Sequence, residues 1–347
     1  MVKNKKYFLV VMVVLCMGAR VANAQQQMQL TQYTFNTLSY NPGYAGHRYG
    51  INLTGTFRNQ WTGFGKTVAE DDPNSSTTGG NGSGILPNGQ GTSTNSSTKT
   101  TAAPMMYMVS ADMPIRVLKG GIGLNICGEN IGLNKNIFVD LGYAYQHDFA
   151  GGGKLGIGAQ VRFANLVLSV SELVPGADGD PLIQQMEEND FLVDCNFGVY
   201  YSKPNSFFWG ISALNLIETQ GRSTMIKGVR SYNAYGGYVL RFPANPKIKL
   251  TPSILVKTDL STFQIDASAI LSIQDRYWFG ANYRINEGLG IILGLSWKDF
   301  QLGYSYDIPM SSLTIGGSWG SHEVVLRYSF KLEREKGKIT QKNTRYL

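Results

Sequence analysis

The sequence has 347 residues, of which 43% are hydrophobic, 12% aromatic and only 16% charged, and its formal net charge is +7. A disordered chain would hold fewer aromatic residues and more charge, and a helical membrane protein would show several apolar runs of about twenty residues. Only one apolar run is present, at the amino terminus. The 41 glycines and 19 tyrosines favour β structure over helix.

The first residues have the layout of a cleavable secretory signal. Lysines precede an apolar stretch from Tyr7 to Gly18, and Ala22 and Ala24 flank the predicted cut before Gln25. The stretch is too short for a stop-transfer helix, so cleavage is preferred over an uncleaved anchor. Cleavage lowers the net charge to about +3, and binding to nucleic acid loses its support.

From Arg48 onward, polar and apolar residues alternate with a period of two. The first run places Arg48, Gly50, Asn52, Thr54, Thr56 and Arg58 on one face and Tyr49, Ile51, Leu53, Gly55 and Phe57 on the other. About fourteen such runs follow one another, with the length that tilted membrane-spanning strands need. Short and long connections alternate between most of them. The pattern predicts an all-β fold, a transmembrane antiparallel β-barrel with short periplasmic turns and longer extracellular loops.

A secreted soluble β-sandwich is the competing fold, because its strands also alternate. A sandwich does not need strands of this length with aromatic residues near their ends. Aromatic side chains near strand ends fit the interfacial girdles of a barrel, which is therefore preferred. They include Tyr143, Tyr145, Tyr201, Phe207, Trp209, Tyr277, Trp297, Tyr304, Tyr306, Tyr328 and Phe330.

The face predicted to line the lumen carries both signs of charge. Buried charges are costly unless they are paired, so we expect ion pairs there. Pairing favours a sealed interior over an open solute pore. The residues are Asp112, Asp140, Asp148, Asp194, Asp266, Asp307 and Glu323 with Lys154, Arg162, Lys249, Lys257, Arg276, Arg284 and Arg327.

The remaining chemically versatile residues do not indicate an enzyme. Cys127 and Cys195 fall on opposite strand faces, so we expect free thiols rather than a disulfide. Neighbours on a strand point to opposite faces, so Ser321, His322 and Glu323 cannot form a catalytic relay among themselves. The histidines and cysteines show no metal-ligand spacing. We expect no catalysis, metal or cofactor.

Four short motifs occur in order along the chain. They are Gln32-Tyr33, Asn41-Pro42-Gly43-Tyr44-Ala45-Gly46, Arg58-Asn59-Gln60-Trp61 and Gly320-Ser321-His322-Glu323. Together they resemble the PorP/SprF family of Bacteroidetes outer-membrane proteins. The candidates for structural or partner-binding roles are Gln32, Tyr33, Asn41, Pro42, Gly46, Arg58, Gln60, Trp61, Gly320, Ser321, His322 and Glu323.

The resemblance implies a non-enzymatic component of the type IX secretion system, often linked with gliding motility. Members assist the export or surface attachment of particular substrates, typically large adhesins with a distinctive C-terminal domain. Further implied partners are other secretion components, with the periplasmic ring among them, and outer-membrane lipid. A barrel that transports a small solute or lipid and a purely structural adhesin anchor stay open as alternatives.

The chain divides into four regions by pattern. They are a signal peptide (1–24), a periplasmic or luminal N-terminal segment (25–47), the barrel (48–332) and a basic periplasmic tail (333–347). Within the barrel, residues 62–102 form a flexible extracellular loop rich in Ser, Thr, Gly and Asn. We expect both termini on the periplasmic side. The N-terminal segment is expected to plug the barrel, with Asn41 and Pro42 setting a turn and Gly46 allowing close approach.

Overall fold

The chain folds into a closed antiparallel β-barrel. The computed structural model describes residues 29–63, 103–169, 187–224, 226–310 and 319–330. The predicted signal peptide, most of the loop over 62–102 and the basic tail lie outside the described residues. The strands are β1 (Ile51–Asn59), β2 (Met105–Ile115), β3 (Gly120–Ile131), β4 (Asn134–Asp148), β5 (Lys154–Ser169), β6 (Glu187–Lys203), β7 (Phe207–Leu214), β8 (Ser231–Tyr238), β9 (Leu240–Phe242), β10 (Asn245–Thr258), β11 (Phe263–Ile273), β12 (Tyr277–Arg284), β13 (Gly288–Trp297), β14 (Phe300–Pro309) and β15 (Ser321–Phe330).

Hydrogen-bonded pairing runs around the whole wall. β8 and β9 both pair with β10 and are interrupted only at Val239, so they form one strand of a 14-stranded barrel. β1 closes the ring against β15, with Ile51 opposite Phe330 and Arg58 opposite Glu323. Closure pairs the strand edges that a bilayer would otherwise leave unsatisfied. The predicted fold class and strand number are confirmed.

One face of the wall is polar and the other apolar, as the alternation predicts. In β1, Thr54 is buried inside the barrel, whereas Leu53 and Phe57 are exposed on the outside. Outward apolar side chains suit the hydrocarbon of a bilayer. Cys127 is buried on the inner face and Cys195 is half-buried with the outward residues of β6, so both are free thiols, as predicted.

The connections define two ends of the barrel, which we call the turn end and the loop end. The turn end holds the short connections after β2, β4, β6, β9, β11 and β13. The loop end holds the long connections over 60–104, 170–186, 215–230 and 310–320, with three short ones after β3, β10 and β12. This asymmetry is typical of outer-membrane barrels. Asn205 and Asn286, with φ of 58° and 64°, make tight reversals because asparagine tolerates left-handed backbone.

Helices are short throughout the described ranges. The helix α1 (Thr37–Tyr40) and a 3-10 helix (Pro42–Tyr44) precede the barrel strands, and a second 3-10 helix (Arg116–Leu118) forms the turn after β2. None of the helices in this part of the chain is long and apolar enough to cross a membrane.

Candidate functional site: the luminal segment

Residues 29–47, which we call the luminal segment, pass through the barrel from the loop end to the turn end. At the loop end, Gln29 Nε2 donates to Glu287 Oε1 at 2.8 Å. At the turn end, His47 Nε2 lies 2.6 Å from Ser202 Oγ. Most side chains between these points are buried, and Leu30 has no exposed surface. The luminal segment therefore occupies the interior along its length and contacts more than one side of the wall.

The direction of the luminal segment places the two ends of the described chain apart. Gln29 lies at the loop end, and Phe330, the last residue of β15, lies at the turn end. Both termini of the chain lie outside the described residues, so their expected placement on the periplasmic side stays a prediction. Among the described residues, the luminal segment passes right through the barrel and does not fold under it.

A buried charged cluster holds the beginning of the luminal segment. Glu323 accepts the backbone N–H groups of Thr31 at 2.8 Å and Gln32 at 2.9 Å. Arg58 donates to Glu323 at 3.0 Å and to Asp307 at 2.6 Å. Asp307 also accepts the hydroxyl of Thr31 at 2.7 Å. We call Arg58, Asp307 and Glu323 the charged anchor, because they tie β1, β14 and β15 to the luminal segment.

Further ion pairs line the lumen beside the charged anchor. Arg284 Nε lies 3.1 Å from Asp266 Oδ1, and its Nη1 lies 3.8 Å from Asp307. Arg162 and Asp140 pair at 2.6 Å on another part of the wall. The predicted pairing of inner-face charges is confirmed for these residues, and it removes the cost of leaving a single buried charge without a partner.

Two candidates from the first motif are fixed by direct contact with the wall. Tyr33 Oη lies 2.7 Å from Ser253 Oγ. Gln32 packs against Gly303 so closely that a Cβ at that glycine would lie 2.1 Å from Gln32 Oε1. At Gly303 the wall therefore leaves space for Gln32, because the wall has no side chain of its own there.

Asn41 organises the turn between the two short helices of the luminal segment. Its Oδ1 accepts the N–H of Gly43 at 2.8 Å, and Pro42 occupies the first position of the 3-10 helix. Its Nδ2 donates to the carbonyl oxygens of Val199 at 2.9 Å and Ile211 at 3.1 Å. One side chain thus caps a helix and binds two wall strands.

Gly46 lies where the luminal segment touches the backbone of the wall. Its φ is +65°, and a Cβ there would lie 2.5 Å from the Cα of Gly121 and 2.9 Å from the carbonyl oxygen of Met113. Both the left-handed conformation and the lack of space require glycine.

His47 is the last residue of the luminal segment and contacts the wall at the turn end. Its Nε2 lies 2.6 Å from Ser202 Oγ and its Nδ1 lies 3.2 Å from Gln146 Oε1. The ring also meets Tyr200 edge to face, with centroids 4.6 Å apart. Burial, followed by the positive charge of Lys154, lowers the pKa of His47 from 6.5 to about 4. The imidazole is therefore neutral at physiological pH.

The remaining candidates lie at the loop-end rim, outside the luminal contacts: Gln60, Trp61, Gly320, Ser321 and His322. The Trp61 N–H donates to Ser321 Oγ at 3.1 Å, which joins the chain after β1 to the start of β15. His322 lies on the outer face, with Nδ1 2.8 Å from Tyr304 Oη. The structure thus brings Arg58 and Glu323 together but separates His322 from them.

Several contact residues were not singled out from the sequence as site residues. Asp307 was identified as an inner-face charge only, and Thr31, Ser202 and Ser253 were not identified. The alternation placed Asp307 on the correct face, but nothing in a single sequence pairs an uncharged polar residue with a distant strand.

A cavity of about 750 Å³ opens at the turn end, beside the luminal segment. We call it the vestibule. Its inner part is lined by Tyr33, Tyr40 and Leu255, and its mouth by Arg48, Lys154 and Lys298. The charged anchor does not line it, so the vestibule stops short of the loop end.

Comparison with known proteins identifies one family. The family model described as "Type IX secretion system membrane protein PorP/SprF" matches residues 22–328. Among curated proteins, none matches the sequence significantly.

Among solved structures, the chain is similar to three barrels. The Ralstonia pickettii toluene transporter TbuX has a TM-score of 0.45 and 8% identity, with 86% of this chain and 94% of that chain covered. A Pseudomonas aeruginosa FadL homologue has a TM-score of 0.39 and 12% identity, covering 84% and 93%. The β domain of the Bordetella autotransporter BrkA has a TM-score of 0.31 and 11% identity, covering 82% and 100%. TM-scores and sequence identities this low support no inference about the substrate or partner of this chain.

Proposed function

This chain belongs to the PorP/SprF family of type IX secretion system membrane proteins, and we propose that it serves that system as a sealed, non-enzymatic barrel. Its role is to assist the secretion or surface attachment of particular substrates. Large gliding adhesins with a C-terminal sorting domain are the proposed substrate class. Other secretion components, with the periplasmic ring among them, are the proposed partners.

The filled lumen is the observation that supports this proposal. The luminal segment extends from Gln29 to His47 and is bound at both ends by buried or partly buried polar contacts. An exported polypeptide would have to displace all of it and break its hydrogen bonds from Thr31 and Gln32 to the carboxylates of the charged anchor, and buried polar groups that lose their partners are costly. The barrel therefore acts on its substrate through its outer surfaces and not as the conduit.

Transport of a small solute or lipid is the alternative, and the vestibule is the observation that favours it. A cavity of about 750 Å³ lies within the size range of ligand sites. It opens at the turn end, but the charged anchor and the first residues of the luminal segment lie beyond it towards the loop end. We therefore place transport second.

We propose that the loop end faces the cell exterior, since outer-membrane barrels carry their longer loops on that side. Gln29 then lies at the external face, and Phe330 lies at the periplasmic face. This arrangement puts the start of the luminal segment beside the long loops, where a surface substrate would be held.

Two measurements test the proposal. A strain that lacks this chain is scored for adhesin in the periplasm, on the surface and in the medium, and we expect loss of adhesin from the surface. Unchanged surface adhesin would refute the secretion role.

In planar bilayers, we expect almost no conductance from the full protein and open channels after deletion of residues 25–45. Unchanged conductance after deletion would refute the plug, and high conductance of the full protein would support the transporter.

A further inference from the structure

Charged residues are sorted between the two ends of the barrel. The turn end is basic. Its carboxylate Asp148 pairs with Lys154 at 3.6 Å, and Asp275 pairs with Lys249 at 2.7 Å. A third carboxylate, Asp299, directly follows Lys298 in the turn after β13. The basic residues at this end are Arg48, Arg116, Lys119, Lys154, Lys203, Arg241, Lys247, Lys249, Arg276 and Lys298. They outnumber the carboxylates and leave a positive field over this face.

The loop end has the opposite balance among its described residues. Its carboxylates outside the charged anchor are Glu129, Asp140, Glu188, Asp190, Asp194, Glu218, Asp259, Asp266 and Glu287, against Lys135, Arg162, Arg222, Lys227, Arg230, Lys257 and Arg284. The basic character of the turn end is therefore a local property and not a property of the whole barrel.

The vestibule combines the basic rim with aromatic walls. Arg48, Lys154 and Lys298 stand at its mouth together with Asp148 and Asp299, and its aromatic lining residues include Tyr44, Tyr49, Tyr200, Phe208 and Tyr235. Tyr49 is 78% exposed, and Lys154 Nζ lies 4.8 Å from its ring centroid. A second concavity at the same end, of about 460 Å³, is lined by three basic residues, Arg241, Lys247 and Lys249, and by one carboxylate, Asp275. Cations beside accessible aromatic faces suit a ligand that carries carboxylates and flat or apolar groups.

We propose that the turn-end face binds an acidic segment of a partner protein, with part of that segment seated in the vestibule. The chain's own tail does not fit this site, because residues 331–347 are themselves strongly basic and follow Phe330 at the same end. A membrane lipid does not fit either, because the vestibule lies inside a closed wall. Complementary charge would guide the partner to the face and set its orientation. This inference goes beyond the proposed function, which rests on the luminal segment.

A binding measurement with defined peptides tests the proposal. The full mature chain is placed in zwitterionic nanodiscs, and a fluorescein-labelled peptide of alternating glutamate and tyrosine is titrated by anisotropy. We expect saturable binding that weakens as salt is raised. The same peptide with lysine in place of glutamate is expected to show no binding. Charge reversal at the mouth, Arg48→Glu with Lys298→Glu, is expected to weaken binding about tenfold or more.

Control variants separate the vestibule from general surface charge. Arg116→Glu with Arg276→Glu reverses two turn-end charges outside the vestibule and is expected to weaken binding no more than about threefold. Lys227→Glu at the loop end is expected to have no effect. Equal losses in the two double variants would overturn the proposal, and so would equal binding of the lysine peptide. Binding to anionic vesicles without binding to the acidic peptide would assign the face to lipid and overturn it as well. The secretion assay can succeed when this binding fails, so the two proposals fail independently.

Discussion

Glu323 joins the barrel wall to the luminal segment through one side chain. It accepts the N–H groups of Thr31 and Gln32 and the guanidinium of Arg58. Backbone N–H groups enclosed in a lumen would be costly without acceptors. The carboxylate supplies those acceptors, and Arg58 supplies the charge that makes a buried carboxylate tolerable.

Replacing Glu323 with glutamine tests that account. Glu323→Gln keeps the shape but removes one of the two negative charges beside Arg58, which retains Asp307, so we expect the free energy of unfolding to fall by about 1.5–3 kcal/mol. Equilibrium unfolding in urea with detergent micelles measures it. Glu218→Gln breaks an exposed pair with Lys227 and is the matched control, with an expected loss below about 1 kcal/mol. Equal losses in both variants would contradict the anchoring role.

His47 makes the stability of the barrel depend on pH. Its pKa is about 4 in the folded chain and 6.5 ordinarily, so between these values the unfolded chain binds a proton that the folded chain does not. We expect the free energy of unfolding to fall as pH drops from 6.5 towards 4, by at most about 3 kcal/mol. The glutamine in the His47→Gln variant can still form hydrogen bonds but does not titrate. The free energy of unfolding of this variant should therefore depend less on pH between 4 and 6.5. Identical pH profiles for the two proteins would exclude His47 as the cause.

The facing of the strand residues could be predicted from the sequence, whereas the course of the luminal segment could be predicted only in part. The alternation fixes which residues of β1 face the lumen, because side chains on a strand change sides at every residue. The luminal segment has no such repeat, and its course is set by contacts with strands far along the chain, such as that of Tyr33 with Ser253. A single sequence does not show which distant residues meet.

The contact of Gly46 with the wall gives a test at the level of this element. Gly46→Ala places a Cβ against the backbone of Gly121 and forces a strained φ, so we expect the turn-end half of the luminal segment to detach. Limited proteolysis within residues 37–47 should become faster. Gly132→Ala is the control, because Gly132 also has a positive φ, +57°, but nothing lies within 4 Å of its Cβ position. If both variants resist protease like the parent, close packing at Gly46 is not required.

For the whole molecule, closure of the barrel could be predicted from the even strand count. The end of the barrel at which the luminal segment starts could not be predicted. The luminal segment is short enough to fold under the barrel or to pass through it, and its course through the lumen follows from three-dimensional partners such as Glu287 for Gln29.

Surface labelling tests the resulting orientation. In a background with Cys127→Ser and Cys195→Ser, single cysteines are placed by Gln29→Cys, Gly132→Cys and Gly151→Cys. We expect a membrane-impermeant maleimide to label the first two on intact cells, because both positions lie at the loop end. Gly151→Cys, in the turn after β4, should react only after the outer membrane is permeabilised. If Gln29→Cys, like Gly151→Cys, were labelled only after the outer membrane is permeabilised, the proposed orientation would be wrong.

The luminal segment also touches both strands that close the ring. Asn36 Oδ1 accepts the hydroxyl of Thr56 on β1 at 2.9 Å, and Arg327 on β15 donates to the carbonyl oxygen of Phe35. Insertion after closure would have to draw the segment lengthwise through a narrow space, past polar side chains that still lacked partners. We therefore expect docking to come before closure in the folding pathway, so that the first and last strands pair around residues 29–47.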